Sequence, residues 1–215
     1  MCFKLITITN IGVPMDENEF IETQKTNLKE TVDFLNNKNK KARELWVVNQ
    51  FLSNLGLLYQ ESELISSLEE PPDVIFRESR IEVKVLLDNG REMDGEYKRK
   101  LKKSQTAKSV EDFIEPYSPQ STPFSETLKL LNSELDKINY SLSVCKDLDI
   151  LFYANLSFAT PPEDAIQIEE KWQNWKTVSV VGNGGWSIVL HTNYEASNFL
   201  KLNEGKVCFK TENKL

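Results

Sequence analysis

Apolar and polar positions alternate most distinctly in the first half of the chain, around residue 78. Residues 74–76 and 81–85 are rich in β-branched or aromatic side chains, and the polar pair Glu78-Ser79 lies between them. Such runs favour strands, and a short polar link between two of them is typical of a tight turn. The pattern therefore predicts a β-hairpin with Glu78 and Ser79 as its loop.

The register of this hairpin decides which side chains meet. With the polar pair as the loop, Asp73 faces Lys84 and Ile75 faces Glu82. Paired residues share a face of the hairpin and neighbours alternate, so one face carries Asp73, Glu82 and Lys84. Opposed Cβ atoms lie about 5 Å apart and diagonal ones about 7 Å, which lets two carboxylates and an ammonium act together. The other face carries the apolar residues Val74, Phe76, Ile81, Val83 and Val85.

Apolar residues at helical spacing predict the helices. Stripes of this kind cover residues 20–35, 41–55 and 124–138. A further helix is expected after Asp94, which is a suitable N-cap, and the last helix is expected over about residues 194–202.

The remaining strands follow from shorter apolar runs. Residues 59–65 are expected to precede the hairpin, and residues 150–156 read as a buried strand. Residues 177–181 and 186–191 predict a second hairpin around the glycine-rich turn at 182–185. Together the elements predict an α/β fold.

Length and the N-terminal pattern suggest one domain. A chain of 215 residues is long enough for a single large core. Asp16 and Glu19 have the spacing of a capping box ahead of the first helix. We therefore expect residues 15–215 to form a single domain and residues 1–14 to be either a mistaken start or a dispensable extension.

Composition bears on the cellular compartment of the protein and on the kind of metal site that it can contain. The three cysteines, Cys2, Cys145 and Cys208, are odd in number and lack paired spacing, which favours a reducing, cytoplasmic compartment over a zinc site. No apolar run approaches the roughly 20 residues that span a bilayer, and no secretory signal is expected. The single histidine, His191, ends an apolar run and is expected to have a structural or rim role.

Charge distribution bears on a nucleic-acid partner. The formal net charge is −7, which repels nucleic acid unless positive charge is concentrated locally. Residues 97–108 contain six basic residues and no acidic one, and residues 38–43 contain four more. This pattern predicts a phosphate-contacting surface, although a solvated helix face is the alternative. The residues that we expect to contact phosphates are Lys98, Arg99, Lys102, Lys103 and Lys108.

The charged face of the first hairpin suits a hard cation. Mg²⁺ binds through one or two carboxylates, several waters and substrate phosphate, which matches Asp73 and Glu82. A bound metal can lower the pKa of a water and offset charge on a phosphodiester, while Lys84 orients that water or neutralises the phosphate. The alternative is an amphipathic hairpin with a solvent-exposed Asp73–Lys84 salt bridge worth under about 1 kcal/mol.

A resemblance is carried by these same residues. Pro72-Asp73, followed after eight residues by Glu82-Val83-Lys84, resembles the signature of the PD-(D/E)XK nuclease superfamily. Residues 44–47, 71–77, 81–84 and 148–151 together resemble a bacterial family of proposed endonucleases that was first catalogued as a domain of unknown function. The similarity runs from about Met15 to the C-terminus.

The resemblance implies a fold and a set of roles. It implies a restriction-endonuclease-like core with a mixed sheet flanked by helices and an N-terminal helical extension. By position, Asp73, Glu82 and Lys84 would be catalytic, with Asp73 and Glu82 as ligands of Mg²⁺ or of Mn²⁺ as a substitute. Glu44, on the second helix, would be a third metal ligand; a solvent-facing role or a role at the helix N-terminus is the alternative.

Two functions of different classes follow. The first is a Mg²⁺-dependent endonuclease that acts on DNA more readily than on RNA, and a homodimer would suit the cutting of both strands. The second is a catalytically inactive module that keeps the nuclease fold and binds nucleic acid or a protein. A live metal site should bind Mg²⁺ and lose it on Asp73→Ala, whereas a binding module should be indifferent.

Overall fold

A computed structural model describes residues 16–114 and 121–210 of the chain. These residues fall into two compact units. The smaller unit combines residues 16–33 and 94–114, and the larger unit combines residues 34–93 and 121–210. The expected extension at residues 1–14 lies outside the described residues, and the expected single domain over residues 15–215 stays a prediction.

A mixed seven-stranded sheet forms the larger unit within the described part of the chain, and its strands follow one another in sequence order. The three central strands, β3 to β5, run parallel, and every other neighbouring pair is antiparallel. This confirms the mixed α/β class. The strands are β1 Leu64–Ser66, β2 Val74–Phe76, β3 Ser79–Leu87, β4 Asp149–Asn155, β5 Thr177–Gly182, β6 Trp186–Thr192 and β7 Val207–Phe209.

Helices precede, interrupt and follow these strands. The α-helices are α1 Glu17–Leu35, α2 Lys40–Asn54, α3 Met93–Ser104, α4 Phe124–Lys137, α5 Leu142–Asp147 and α6 Asn198–Lys201. Short 3₁₀ helices lie at Asn37–Asn39, Glu61–Glu63, Val110–Phe113 and Glu170–Asn174. Among the described residues, no helix is both long enough and apolar enough to cross a membrane.

Apolar side chains cover both faces of the sheet. On one face, Val48, Phe51 and Leu52 of α2 pack in the same buried cluster as Phe76 and Val83 of the hairpin. On the other face, Leu131 and Leu135 of α4 pack in a second cluster with residues of the central strands, including Leu86, Ile150 and Phe152. Full burial of one such side chain contributes about 1.5–3 kcal/mol, so each cluster fixes its helix firmly on the sheet.

The first hairpin exists, but its predicted register is wrong by two residues. Val74 pairs with Ile81 and Phe76 pairs with Ser79. The loop consists of Arg77 and Glu78, because Arg77 adopts a φ of 53° and leaves the strand one residue earlier than predicted. Ser79 belongs to β3, where its buried hydroxyl lies 3.1 Å from the hydroxyl of Ser197.

The side chains lie on the predicted faces of the hairpin despite the shifted register. Side chains alternate with a period of two, so a two-residue shift leaves each residue on its predicted face. Val74, Phe76, Ile81 and Val83 are accordingly buried in one apolar cluster. The exception is Val85, which is 42% exposed.

Other predicted elements differ in extent. The helices expected at 41–55 and 124–138, the strand at 150–156 and the second hairpin are confirmed within one or two residues. The strand expected at 59–65 is a 3₁₀ turn followed by the three residues of β1, since Glu61 and Glu63 belong to the turn. The helix expected at 194–202 shortens to the four residues of α6. The sequence pattern missed α5 and β7 altogether.

Candidate active site

Asp73 lies immediately before β2 and is tied to β3 by its backbone and its side chain. Its backbone N–H donates to the carbonyl of Ile81 at 3.1 Å, and its Oδ2 accepts from the backbone N–H of Val83 at 2.9 Å. These two bonds hold the buried Asp73 carboxylate beside the stretch of β3 that contains Glu82. Asp73 therefore has a structural role whatever chemistry it performs.

Glu82 and Lys84 are two residues apart on β3 and so share a face of the sheet. The Lys84 Nζ lies 2.6 Å from the Glu82 Oε1, and the side chains are 31% and 4% exposed, respectively. The predicted pairing of Asp73 with Lys84 across the hairpin is wrong because the register is shifted. Lys84 pairs with Glu82. This pair takes the place of the Asp73–Lys84 salt bridge that the alternative interpretation expected.

Tyr140 makes a contact that the sequence did not indicate. Its hydroxyl donates to the same Oε1 of Glu82 at 2.8 Å. Burial, followed by the hydrogen bond to Glu82, raises the pKa of the Tyr140 hydroxyl. The other carboxylate oxygen of Glu82, Oε2, is buried and has no hydrogen-bond partner among the described residues. Glu82 is thus bonded through one oxygen only.

Glu44 and Lys40 add a second charged group from the start of α2. The Lys40 Nζ lies 3.4 Å from the Glu44 Oε1, 3.5 Å from the Asp73 Oδ1 and 3.0 Å from the Glu70 Oε1. Glu44 is buried, so the solvent-facing alternative for this residue is wrong. Burial and then the charge of Asp73 raise the pKa of the Glu44 carboxyl to about 7, against the opposing effect of Lys40.

The donor atoms of this site suit a hard divalent cation. Carboxylate oxygens are the ligands that Mg²⁺ and Mn²⁺ prefer, and the unpartnered Oε2 of Glu82 is a donor that a cation would satisfy. Within residues 16–114 and 121–210, no group of three or more Asp, Glu, His or Cys side chains is arranged so that it could hold a metal ion. Asp73 and Glu82 have the chemistry for a cation held by one or two carboxylates, with water and substrate supplying the other ligands.

The basic residues predicted to contact phosphates lie in the smaller unit. Lys98, Arg99, Lys102 and Lys103 are on α3 and Lys108 follows it, and all five side chains are exposed. In the earlier basic group, Lys40, Lys41 and Arg43 bond to other residues of the protein. Lys41 donates to the carbonyl of Ser67, and Arg43 donates to the carbonyls of Phe34 and Asn36 near the end of α1. Contact of any of these residues with nucleic acid stays a prediction.

His191 and the tryptophans have structural surroundings. His191 is buried on β6, and burial lowers the pKa of its imidazole. Trp172 and Trp175 are buried in the apolar cluster beneath α4, which confirms packing rather than base stacking as their role. The indole N–H of Trp172 donates to the Oδ1 of Asn132 at 2.9 Å.

Comparisons with known proteins give one family and one solved structure. A family model described as "Putative endonuclease, protein of unknown function (DUF1780)" matches residues 16–215. The solved structure is of a protein of unknown function from Pseudomonas aeruginosa strain PAO1, described as of the monooxygenase superfamily. It is 26% identical, with 93% of this chain and 98% of that chain covered and a TM-score of 0.60. No curated protein matches the chain.

Proposed function

The chain belongs to a family described as putative endonucleases of unknown function, and from that premise we propose that it is a metal-dependent nuclease that hydrolyses phosphodiester bonds. In this proposal Asp73 and Glu82 hold Mg²⁺, or Mn²⁺ as a substitute, and Glu44 adds negative charge beside Lys40 and Asp73 rather than a third ligand. Lys84 orients the attacking water or neutralises a phosphate of the substrate. DNA is the proposed substrate in preference to RNA, on the superfamily resemblance of the Asp73, Glu82 and Lys84 pattern.

The observation that carries the proposal is the arrangement around Glu82. Lys84 and Tyr140 both donate to its Oε1, while its Oε2 is buried without a partner among the described residues. A buried carboxylate oxygen without a partner is costly, and a cation at that oxygen would remove the cost. The buried carboxylate of Asp73, fixed beside β3, supplies a second oxygen donor of the same kind.

Each residue has a chemical task in hydrolysis. A bound Mg²⁺ supplies a Lewis acid that lowers the pKa of water and offsets negative charge on the phosphate. The ammonium of Lys84 is partly exposed, so it can hold a water or a phosphate oxygen while it remains bonded to Glu82. Lys40, half exposed beside Asp73, offers a second positive charge to an anionic substrate.

The basic side chains of α3 support an anionic polymer as the substrate. The whole chain carries a formal charge of −7, so exposed Lys98, Arg99, Lys102, Lys103 and Lys108 form a local departure from the acidic average. Neutralisation of phosphates by such residues releases counterions and supplies affinity that does not depend on sequence. We propose that these five residues contact the nucleic-acid backbone.

The solved structure is described as of the monooxygenase superfamily, and oxygenase chemistry differs from phosphodiester hydrolysis. A common iron site in oxygenases uses two histidines and one carboxylate, and this chain contains one histidine in all. That histidine, His191, is buried on β6. Paired carboxylates next to lysines are instead suited to metal-assisted hydrolysis, and this favours the nuclease.

Nicking of supercoiled plasmid by the purified protein in Mg²⁺ or Mn²⁺ tests the proposal. We expect nicked and linear products from the wild type, and none with EDTA or with Glu82→Gln, which keeps the size of the side chain but removes its charge. Glu126→Gln is the matched control, because the Glu126 side chain is about half exposed on α4 and pairs with Lys129 one turn along the helix. This control should cut as the wild type does.

The other outcomes discriminate between the functions. Intact plasmid, followed by intact single-stranded DNA and RNA under the same conditions, would overturn the nuclease. Binding of nucleic acid without cleavage, and without any effect of Mg²⁺, would instead identify the non-catalytic module. Cleavage that persists in Glu82→Gln would show that another site or a contaminant is responsible.

A further inference from the structure

We propose that Tyr140 is a positioning residue that fixes the Glu82 carboxylate so that its second oxygen faces a divalent cation. This inference rests on the proposed function and extends it to a residue outside the Asp73, Glu82 and Lys84 pattern. Tyr140 lies between α4 and α5, 58 positions along the chain from Glu82. Only the fold brings the two side chains together.

The contact is specific to one oxygen of Glu82. Two donors, the Tyr140 hydroxyl at 2.8 Å and the Lys84 ammonium at 2.6 Å, converge on Oε1. A carboxylate held at one oxygen by two donors from separate parts of the chain has little freedom to rotate. Its Oε2 is therefore held in one orientation, buried and without a partner among the described residues.

Tyr140 owes its own place to packing rather than to Glu82. Its ring meets the buried ring of Trp175 edge to face, with centroids 6.5 Å apart and planes at 65°. The side chain also packs against the apolar cluster beneath α4. Because these contacts do not involve the hydroxyl, the Tyr140 ring is expected to stay in place when the hydroxyl is removed.

Tyr140 and Lys84 have different tasks: Tyr140 orients Glu82, and Lys84 can also attract a phosphate. Lys84 is partly exposed and carries a charge that a phosphate can attract. If Lys84 turns towards substrate, Tyr140 still donates to Oε1 and keeps the orientation of Glu82. Groups that hydrogen-bond to a metal ligand typically change metal affinity by about 10–100-fold when removed, although they never touch the metal.

A purely structural role predicts something different. If the Tyr140 hydroxyl only satisfies a buried carboxylate, Tyr140→Phe lowers stability and leaves the affinity of the folded protein for metal unchanged. If Tyr140 positions Glu82, the same substitution weakens metal binding. Binding of metal in the absence of nucleic acid separates the two roles.

Isothermal titration with Mn²⁺ alone is the test, applied to the wild type, Tyr140→Phe, Glu82→Gln and Tyr59→Phe. Tyr59 is the matched control, since its hydroxyl donates to Asn49 in the same unit and its ring packs edge to face on Phe76. We expect Tyr140→Phe to weaken Mn²⁺ binding by about 10–100-fold. Tyr59→Phe should bind as the wild type does, and Glu82→Gln should not bind.

The outcomes separate this inference from the proposed function. Binding by the wild type and equal binding by Tyr140→Phe would overturn the role of Tyr140 and leave the nuclease standing. No binding by the wild type would overturn both. Nicking rates supply a second readout: in Tyr140→Phe the Mn²⁺ concentration for half-maximal cutting should rise, while the rate at saturating Mn²⁺ approaches that of the wild type. A lower saturating rate with unchanged metal dependence would contradict a positioning role.

Discussion

The Asp73 carboxylate accepts a hydrogen bond from the backbone N–H of Val83 at 2.9 Å. Strand β2 begins at Val74, which pairs with Ile81, so the ladder between the two strands ends before it reaches Val83. The side chain of Asp73 takes the place of the missing backbone acceptor. Any substitution of Asp73 therefore alters both a candidate metal ligand and the end of a sheet.

Asp73→Ala should consequently lower stability even without metal. The buried N–H of Val83 loses its acceptor, and an unsatisfied buried group costs about 1–3 kcal/mol. Asp73→Asn keeps an acceptor oxygen and should lose much less. Urea denaturation in EDTA measures both free energies of unfolding, and equal losses in the two variants would show that this hydrogen bond is not the cause.

Lys40→Met should strengthen metal binding. The ammonium of Lys40 lies within 3.5 Å of carboxylate oxygens of Glu44, Glu70 and Asp73, so it competes with a cation for the same negative charge. Because Lys40 is half exposed, the gain is expected to be worth at most about 1 kcal/mol, or about fivefold in affinity. Titration with Mn²⁺ at low salt measures it, with Lys25→Met on α1 as the control; weaker binding by Lys40→Met would contradict the competition.

Removal of charge from α3 should weaken nucleic-acid binding and flatten its salt dependence. The double variant Lys102→Gln and Lys103→Gln should reduce the slope of log affinity against log salt by about 1 for each phosphate that is no longer neutralised. Fluorescence anisotropy with a labelled duplex in EDTA measures the slope without cleavage. Lys129→Gln with Lys137→Gln, on α4, is the control of equal charge. An equal effect of the two double variants would indicate a response to net charge alone.

Protonation of His191 should contribute a loss of stability in mild acid, opposite in sign to the gain expected from Glu44, whose raised pKa lets the folded state bind more protons. Burial lowers the pKa of its imidazole below the ordinary value of 6.5, despite the opposing charge of Glu204. The unfolded chain therefore binds more protons than the folded one between the lowered pKa and 6.5, and stability is lost as pH falls through that window. Urea denaturation at several pH values from 8 downwards should show the stability of the wild type changing unfavourably relative to that of His191→Gln as pH falls below 6.5. Parallel pH profiles would contradict this assignment.

The sequence pattern predicted the faces of the central hairpin better than its pairing. Alternation with a period of two assigns each side chain to a face, and a shift of two residues leaves that assignment intact. The register depended on the turn, and the positive φ of Arg77 placed the turn one residue earlier. Arginine rarely adopts such a backbone conformation, so nothing in the local sequence signalled it.

The candidate site was predictable only where its residues are close in sequence. Glu82 and Lys84 belong to one strand, and their shared face follows from their spacing. Tyr140 could not be found in this way, because it reaches Glu82 through the packing of α4 against the sheet. Lys40 was predicted as part of a phosphate-contacting group, but its contacts with Glu44, Glu70 and Asp73 depend on how α2 meets the hairpin.

The two edges of the sheet have a consequence for self-association. Both β1 and β7 contain only three residues, whereas the central strands contain six to nine. Unpaired backbone groups on a long edge recruit further strands, and a short edge offers few of them. Concentrated solutions of the protein should therefore resist fibrous aggregation, and any contact between two copies is expected to form through side chains rather than through a continuous sheet.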